Sequence, residues 1–321
     1  SAPFLGFIGA GNYASRILIP AFKEAGSMLD TIVTSGGISG IHHGKKNNFL
    51  IASTNIKDIL NNENINTVAI VTRHDAHALQ VIDALNAGKH VFVEKPLALT
   101  LDEIDKIDKV YQKINKVKNV KLMVGFNRRF APHIIKMKEL LSSHHSPKSV
   151  IMTVNAGAIP AEHWTQDILV GGGRIVGEGC HFIDLMRHLV GCSIVDFTCT
   201  MMGNVPGIGV REDKASITLS FADGSFGTIL YLANGGTEFP KERIEVFCDN
   251  AVLQMDNYRV LSGYGWPEFK QMKLFKQDKG QKACAKAFIN SISEGKDTPI
   301  PYAETIESSR VSIEVANAMR V

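Results

Sequence analysis

The chain has 321 residues, 45% of them hydrophobic and 21% charged, with a formal net charge of +3. That is ample apolar surface for a full core in two domains without covalent staples. Basic residues alternate with acidic ones over most of the length, and no apolar run reaches the roughly 20 residues that cross a bilayer, so nucleic acid and membrane are excluded as partners.

The start, Ser1-Ala2-Pro3-Phe4, carries no charged leader region, and Ser1 and Ala2 read as residues left by cloning. From Pro3 to about Val124, short apolar runs alternate with longer amphipathic ones, predicting strand-helix-strand units on a parallel sheet. Strands are predicted at Phe4-Ile8, Thr31-Thr34, Thr67-Thr72, His90-Val93 and Lys121-Gly125, and helices at Ala14-Ala25, Ala76-Ala87 and Leu101-Val117. Gly88 supplies a left-handed helix end, and Thr100 with Glu103 forms a capping box for the helix that follows. After about Phe130 the pattern changes to one helix, Pro132-Leu141, and then to strands at Ser149-Asn155, Ala215-Phe221, Ser225-Ala233 and Arg243-Cys248 with Gly224 in a hairpin turn. Helices are predicted at about Cys180-Leu189, Lys279-Ser293 and Tyr302-Met319. The expected organisation is α/β: a parallel-sheet domain over 1–125 and an α/β domain with an open, mostly antiparallel sheet over 126–321. The five cysteines (Cys180, Cys192, Cys199, Cys248 and Cys284) form no C-x-x-C pair and read as buried reduced thiols, giving no metal site and a cytoplasmic location.

Gly9-x-Gly11-x-x-Ala14 directly follows an apolar strand and opens a helix, the context in which this pattern binds a dinucleotide. The first glycine permits the tight turn, the second lets backbone approach the pyrophosphate at a helix N-terminus, and the small third residue lets helix and strand pack closely. Asn12 and Tyr13 lie within the turn. The acid that usually accepts the ribose hydroxyls about 20 residues on is missing: the second strand ends Val33-Thr34-Ser35-Gly36-Gly37. Ser35 could donate to a 2′-phosphate, so the cofactor is NAD or NADP, with a lean toward NADP.

The run Glu94-Lys95-Pro96 places a lysine just past a strand's carboxyl end, where open α/β sheets build their sites. Together with Thr72-Arg73-His74-x-x-His77, Gly125-Phe126-Asn127-Arg128-Arg129-Phe130 and the segment Gly171-Gly172-Gly173-Arg174-Ile175-Val176-Gly177-Glu178-Gly179-Cys180-His181-Phe182-Ile183-Asp184, it resembles the Gfo/Idh/MocA oxidoreductases. The resemblance implies a Rossmann domain followed by an α/β domain whose sheet makes a homodimer or homotetramer contact. It implies metal-free oxidation or reduction of a secondary alcohol on a sugar or sugar derivative. It implies that Thr72, Arg73, His77, Glu94 and Lys95 serve the cofactor side, that Lys95 also stands near the substrate oxygen, that His181 is the acid/base, and that Asn127 and Arg128 flank the pocket. Many members carry an aspartate four residues before the histidine; Gly177 stands there in this chain, with Glu178 adjacent.

Oxidising a carbinol needs a base for the hydroxyl proton and a cation for the developing alkoxide, and histidine and lysine suit those roles. His163 and Trp164 are read either as lining a sugar pocket or as core and surface residues, and Asp184, three residues past His181, as orienting it or as a surface acid. The strings His163-Trp164-Thr165-Gln166-Asp167, Phe239-Pro240-Lys241-Glu242-Arg243 and Gln277-Asp278-Lys279-Gly280-Gln281 resemble the oxidoreductase half of long bacterial proteins fused to a zinc-type alcohol dehydrogenase-like module. Two other activities stay open on this reading: glycosidic cleavage by transient oxidation, and a cofactor-binding module without turnover.

Overall fold

The computed structural model describes residues 3–321, leaving aside the side chains of 38 and 39; Ser1 and Ala2, read above as cloning residues, lie outside the described residues. The chain divides into two compact units, one running through Phe126 and including Gln281–Ile306, the other comprising Asn127–Gly280 and Glu307–Val321. The expected division falls at 125/126; the compact units change over after Phe126, and residues 281–306 belong to the first unit. Their helix carries an apolar face, Cys284, Ala285, Phe288 and Ile289, that is buried there, with the Phe288 ring 5.7 Å from that of Phe92.

In the first unit, β1 (Phe4–Ile8), α1 (Ile19–Glu24), β2 (Met28–Val33), α2 (Gly37–Asn47), β3 (Ile51–Ser53), α3 (Lys57–Leu60), β4 (Thr67–Ile70), α4 (His74–Asn86), β5 (His90–Val93), α5 (Leu101–Asn115) and β6 (Leu122–Val124) follow in order. The six strands are parallel in the order β3-β2-β1-β4-β5-β6, the doubly wound arrangement whose order reverses between β1 and β4. β4 and β6 are buried at every residue, as strands covered on both faces must be, which is why they read as continuous apolar runs. The Thr100 capping box is present as expected, and Gly88 has φ +69°.

In the second unit come α6 (Pro132–Leu141), β7 (Ser149–Asn155), α7 (Cys180–Val190), β8 (Ile194–Met201), β9 (Lys214–Phe221), β10 (Phe226–Leu232), β11 (Glu242–Cys248), β12 (Ala251–Asp256), β13 (Val260–Tyr264) and β14 (Gln271–Lys273); α8 (Gln281–Ser293) then belongs to the first unit, and α9 (Tyr302–Met319) begins in the first and ends in the second. The sheet order is β14-β13-β12-β11-β7-β10-β9-β8, antiparallel throughout except for β7 beside β10. Along β9 and β12 buried residues alternate with half-buried ones, the signature of a sheet covered on one face. α7 lies almost wholly buried and approaches the sheet at Gly227, where a Cβ would stand 2.5 Å from the Met186 sulfur.

Of the cysteines, Cys180, Cys248 and Cys284 are buried, while Cys192 and Cys199 are half-buried rather than buried as expected. Among the described residues no group of three or more His, Cys, Asp or Glu could hold a metal, and no helix is long and apolar enough to cross a membrane.

Candidate active site

Gly9 follows β1 at the point where strand order reverses. Its N–H donates to the Val33 carbonyl at 2.8 Å, and the Val71 N–H donates to the Ile8 carbonyl at 2.8 Å, tying together the ends of β2, β1 and β4. Gly9 has φ +100°, and a Cβ there would lie 2.6 Å from the Val71 carbonyl oxygen, so only glycine fits. Gly11 is different: a Cβ there meets nothing within 4 Å. That clear space over exposed backbone, at a helical start with no acid in its first turn, is what an approaching pyrophosphate requires, so the residues present fit a dinucleotide. Ala14 is buried against the fold, while Asn12 and Tyr13 are exposed. The helix begins with a wide π-type turn, Ala14–Leu18.

Ser35, Thr72 with Arg73, and Glu94 with Lys95 lie just beyond the carboxyl ends of β2, β4 and β5. With β1 these are four neighbouring strands, spanning about 15 Å along one sheet edge. Ser35 is exposed and no acid occupies the first turn of the helix after it. Thr72 Oγ1 donates to Gln80 at 2.6 Å. Lys95 is half-buried, and its N–H donates to the Glu94 carboxylate at 3.3 Å. Gly125 makes room for that carboxylate, since a Cβ there would lie 2.6 Å from Glu94 Oε1.

His77 departs from the expected cofactor role. It is fully buried, with Nδ1 2.7 Å from the Pro96 carbonyl and Nε2 3.1 Å from the Thr72 carbonyl. Burial pushes its pKa down, opposed by those two carbonyls. It is a strut between the loops after β4 and β5, reaching the carbonyl of Pro96, the residue that follows Lys95.

In the second unit His181 is the second residue of α7 and is 6% exposed. The preceding turn, Ile175–Gly179, is π-type. The Glu178 carboxylate, next to Gly177, accepts a hydrogen bond from the Tyr231 hydroxyl at 3.0 Å and stands 3.5 Å from both Arg174 and Lys241. Burial, followed by Glu178, raises the Tyr231 hydroxyl well above its ordinary pKa.

Arg128, expected to flank the pocket, and Asp184, expected beside His181 or at the surface, both belong to buried ion pairs. Arg128 forms a two-pronged pair with Glu242, Nε to Oε2 being 3.2 Å, and its guanidinium lies 5.0 Å from the Phe182 ring centroid. Asp184 is paired with Arg129 by two bonds of 2.8 Å and accepts a third from Ser308 at 3.0 Å; at 1% exposed it is not a surface acid. Asn127 is buried and donates to the Lys279 carbonyl at 2.7 Å. The sequence offered two arginines in tandem and no means of telling that both are held in buried ion pairs.

The 3-10 turn Trp164–Gln166 follows His163, whose Nδ1 lies 2.8 Å from Thr165 Oγ1. His163 is exposed and Trp164 half-buried, their rings 5.9 Å apart. Gly171 is packed beneath this turn, a Cβ there lying 2.4 Å from the Thr165 α-carbon. Arg320, paired with Glu212 at 2.7 Å, donates to the Gly172 carbonyl at 2.7 Å. The glycine cluster is thus a backbone crossing held by the C-terminal arginine.

Sequence reading missed Glu242, Tyr258 and Tyr231. Tyr258 is fully buried despite φ +55°, its ring beneath Lys279 Nζ at 5.8 Å. Burial would raise the Glu242 carboxyl, but Arg128, then Lys279 and Lys241, hold it down to about 2 against an ordinary 4.5. A depressed carboxyl contributes stability that is full above pH 4.5 and is lost as pH falls toward 2. Urea unfolding between pH 5 and 2.5 should show the wild type losing more stability than the Arg128→Met/Glu242→Leu double variant; equal losses would contradict the assignment.

A doubly wound sheet with a clear glycine turn at its switch point, joined in sequence to a unit built on an open antiparallel sheet, defines a dinucleotide-binding oxidoreductase of the two-domain type. Residues 5–126 match the oxidoreductase family with NAD-binding Rossmann fold, and residues 137–254 match the GFO/IDH/MocA C-terminal domain. The chain belongs to the Gfo/Idh/MocA family. It is 27% identical over 205 residues to a myo-inositol 2-dehydrogenase of Thermotoga maritima, covering 63% of this chain and 60% of that protein. It is 26% identical over 246 residues to an inositol 2-dehydrogenase of Rhizobium meliloti, covering 73% and 72%. A levoglucosan dehydrogenase solved with NADH and levoglucosan shares the fold, with TM-score 0.87 at 18% identity over 100% of this chain and 98% of that one.

Proposed function

We propose that the chain is an NAD(P)-dependent dehydrogenase or reductase acting on a secondary alcohol of a sugar or sugar derivative. The observation that carries this is the edge of the first sheet: a tight turn at Gly9 and open backbone at Gly11, two strands from Lys95. The named relatives that are inositol dehydrogenases support the substrate class. A bound nicotinamide would supply the hydride acceptor for the carbinol carbon. Carried over from the family motifs, Lys95 has the role of donor to developing negative charge and His181 the role of acid/base. Asn12, Tyr13, Thr72, Arg73 and Glu94 border the cofactor, and His163 and Trp164 meet the sugar. Incubating the protein with NAD or NADP and a panel of polyols, with absorbance followed in the reduced-cofactor band, tests the reading.

The lean to NADP rests on Ser35 and the absence of an acid in the α2 first turn. Lys45 and Lys46 close that helix, about 12 Å from its start at 1.5 Å per residue, so Ser35 and backbone N–H groups would hold a 2′-phosphate. Ser35→Asp should weaken NADPH binding by about tenfold or more and spare NADH in fluorescence titrations; equal effects on both would contradict the placement. Self-association would use the outer sheet face, where Ile151, Phe226 and Phe247 are 40 to 51% exposed around Ser149. A cytoplasmic location and a zinc-type alcohol dehydrogenase-like fusion partner complete the proposal.

A further inference from the structure

Four cations and two carboxylates meet beside the first turn of α7. Arg128 is paired to Glu242, Lys279 Nζ stands 3.5 Å from the same carboxylate, and Arg174 and Lys241 each stand 3.5 Å from Glu178. The two groups form one electrostatic network: Lys241 acts on Glu242, and Glu178 acts on Arg128. Four positive charges against two negative leave an excess of +2. The neighbouring groups do not remove it. Asp213 is paired with Lys214 at 2.6 Å, Asp278 caps the Gly280 N–H at 2.7 Å and faces His133, and the tyrosines stay protonated because burial raises both hydroxyls.

The excess is not spread evenly. Arg128 and Arg174 are buried, their side chains 8% and 3% exposed, and committed to Glu242 and to the Gly157 and Ala156 carbonyls. The lysine side chains are 38% and 18% exposed. Each ammonium has three N–H donors, and its 3.5 Å approach to a single carboxylate oxygen is longer than the roughly 2.7–2.9 Å of a tight charge-assisted bond. A surplus of half-buried positive charge with donors still to give is an environment that an anion satisfies. Glu178 lies three residues before His181 on one continuous helical segment, a spacing at which helical side chains are neighbours.

We propose that Lys241 and Lys279 form an anion subsite next to His181, and that the substrate is an acidic sugar derivative carrying a carboxylate or a phosphate. The inference rests on the reading of His181 as the substrate-side acid/base. Calorimetric titration of the full chain with an aldonate, a uronate and a sugar phosphate, each beside its neutral parent sugar, tests it. At least one acid should bind about tenfold or more tightly than its parent, with the advantage shrinking as salt is raised and disappearing in the Lys241→Gln/Lys279→Gln double variant. Whether the carboxylates or the phosphate bind best identifies the group. Equal binding of acids and neutral parents, an acid preference that survives in the double variant, or no binding across the panel overturns the proposal. Cofactor titration checks that the double variant is folded. Acids bound through the lysines without cofactor reduction would leave the subsite standing and remove the dehydrogenase reading; oxidation of neutral polyols with no acid preference would do the reverse.

Discussion

Replacing His181 with Ala is expected to lower turnover by about 10²–10⁴-fold, the usual contribution of a positioned acid/base, and replacing Lys95 with Ala by about 10²–10³-fold, the usual contribution of one donor to a developing oxyanion. Cofactor affinity should stay within about tenfold in both, because the turn at Gly9 and Gly11 is built from backbone and from the ends of β1, β2 and β4. Lys95→Arg should recover little, since a guanidinium is broader than an ammonium and the site is half-buried. Stopped-flow measurement of reduction separates the chemical step from product release, and the two losses should both fall on that step. Full turnover in either variant would remove that residue from the chemistry.

Asp184→Ala is expected to cost about 3–5 kcal/mol of stability, because it strands the Arg129 guanidinium in the interior. Arg129 is 5% exposed and holds Asp184 by two 2.8 Å bonds; water cannot readily replace the carboxylate. The neighbouring His188, pushed down to about 3 by burial and then by Arg129, stays neutral, and an imidazole has no negative charge with which to replace the carboxylate. Asp184→Asn should cost less, retaining one acceptor for Ser308 or Arg129. The Arg129→Met/Asp184→Leu double variant should recover much of the loss, as apolar replacements of buried pairs do. Urea unfolding of the four proteins reads this directly. A residue that touched substrate would instead show an altered KM at unchanged stability, and that pattern in Asp184→Asn would contradict the structural role.

The parts of the fold legible in the sequence were those where local chemistry and burial agree. β1 and β5 are apolar runs between turn residues, and α6 and α9 have the expected ends. The glycine turn and Lys95 could be placed because both sit at strand ends whose position follows from the β-α-β alternation. α2 was not foreseen, since Gly37, Gly40 and Gly44 are poor helix formers. Gly40 and Gly44 are there for packing: a Cβ at Gly40 would stand 2.6 Å from Thr34 Oγ1, and one at Gly44 3.4 Å from Ile32 and Ala52. The strands β12 and β13 were missed because their hairpins turn at Asp249-Asn250 and Asn257-Tyr258, all with φ between 48° and 61°, without the glycine that usually marks such turns. The site was legible by residue type, less so by partner. Arg128 and Asp184 are polar residues in a motif, and their carboxylate and guanidinium partners are 114 and 55 residues away in sequence, a separation at which no periodicity carries information.

The central claim is direct hydride transfer from a sugar carbon, and one isotopic measurement addresses it. The protein is incubated with oxidised cofactor and a substrate deuterated at the carbinol carbon, and the reduced nicotinamide is analysed by mass spectrometry. Transfer predicts one deuterium in the reduced cofactor for each alcohol oxidised, on one face of the ring. Deuterium that remains in or returns to the sugar with no net reduced cofactor would contradict the account and indicate transient oxidation or simple binding in its place.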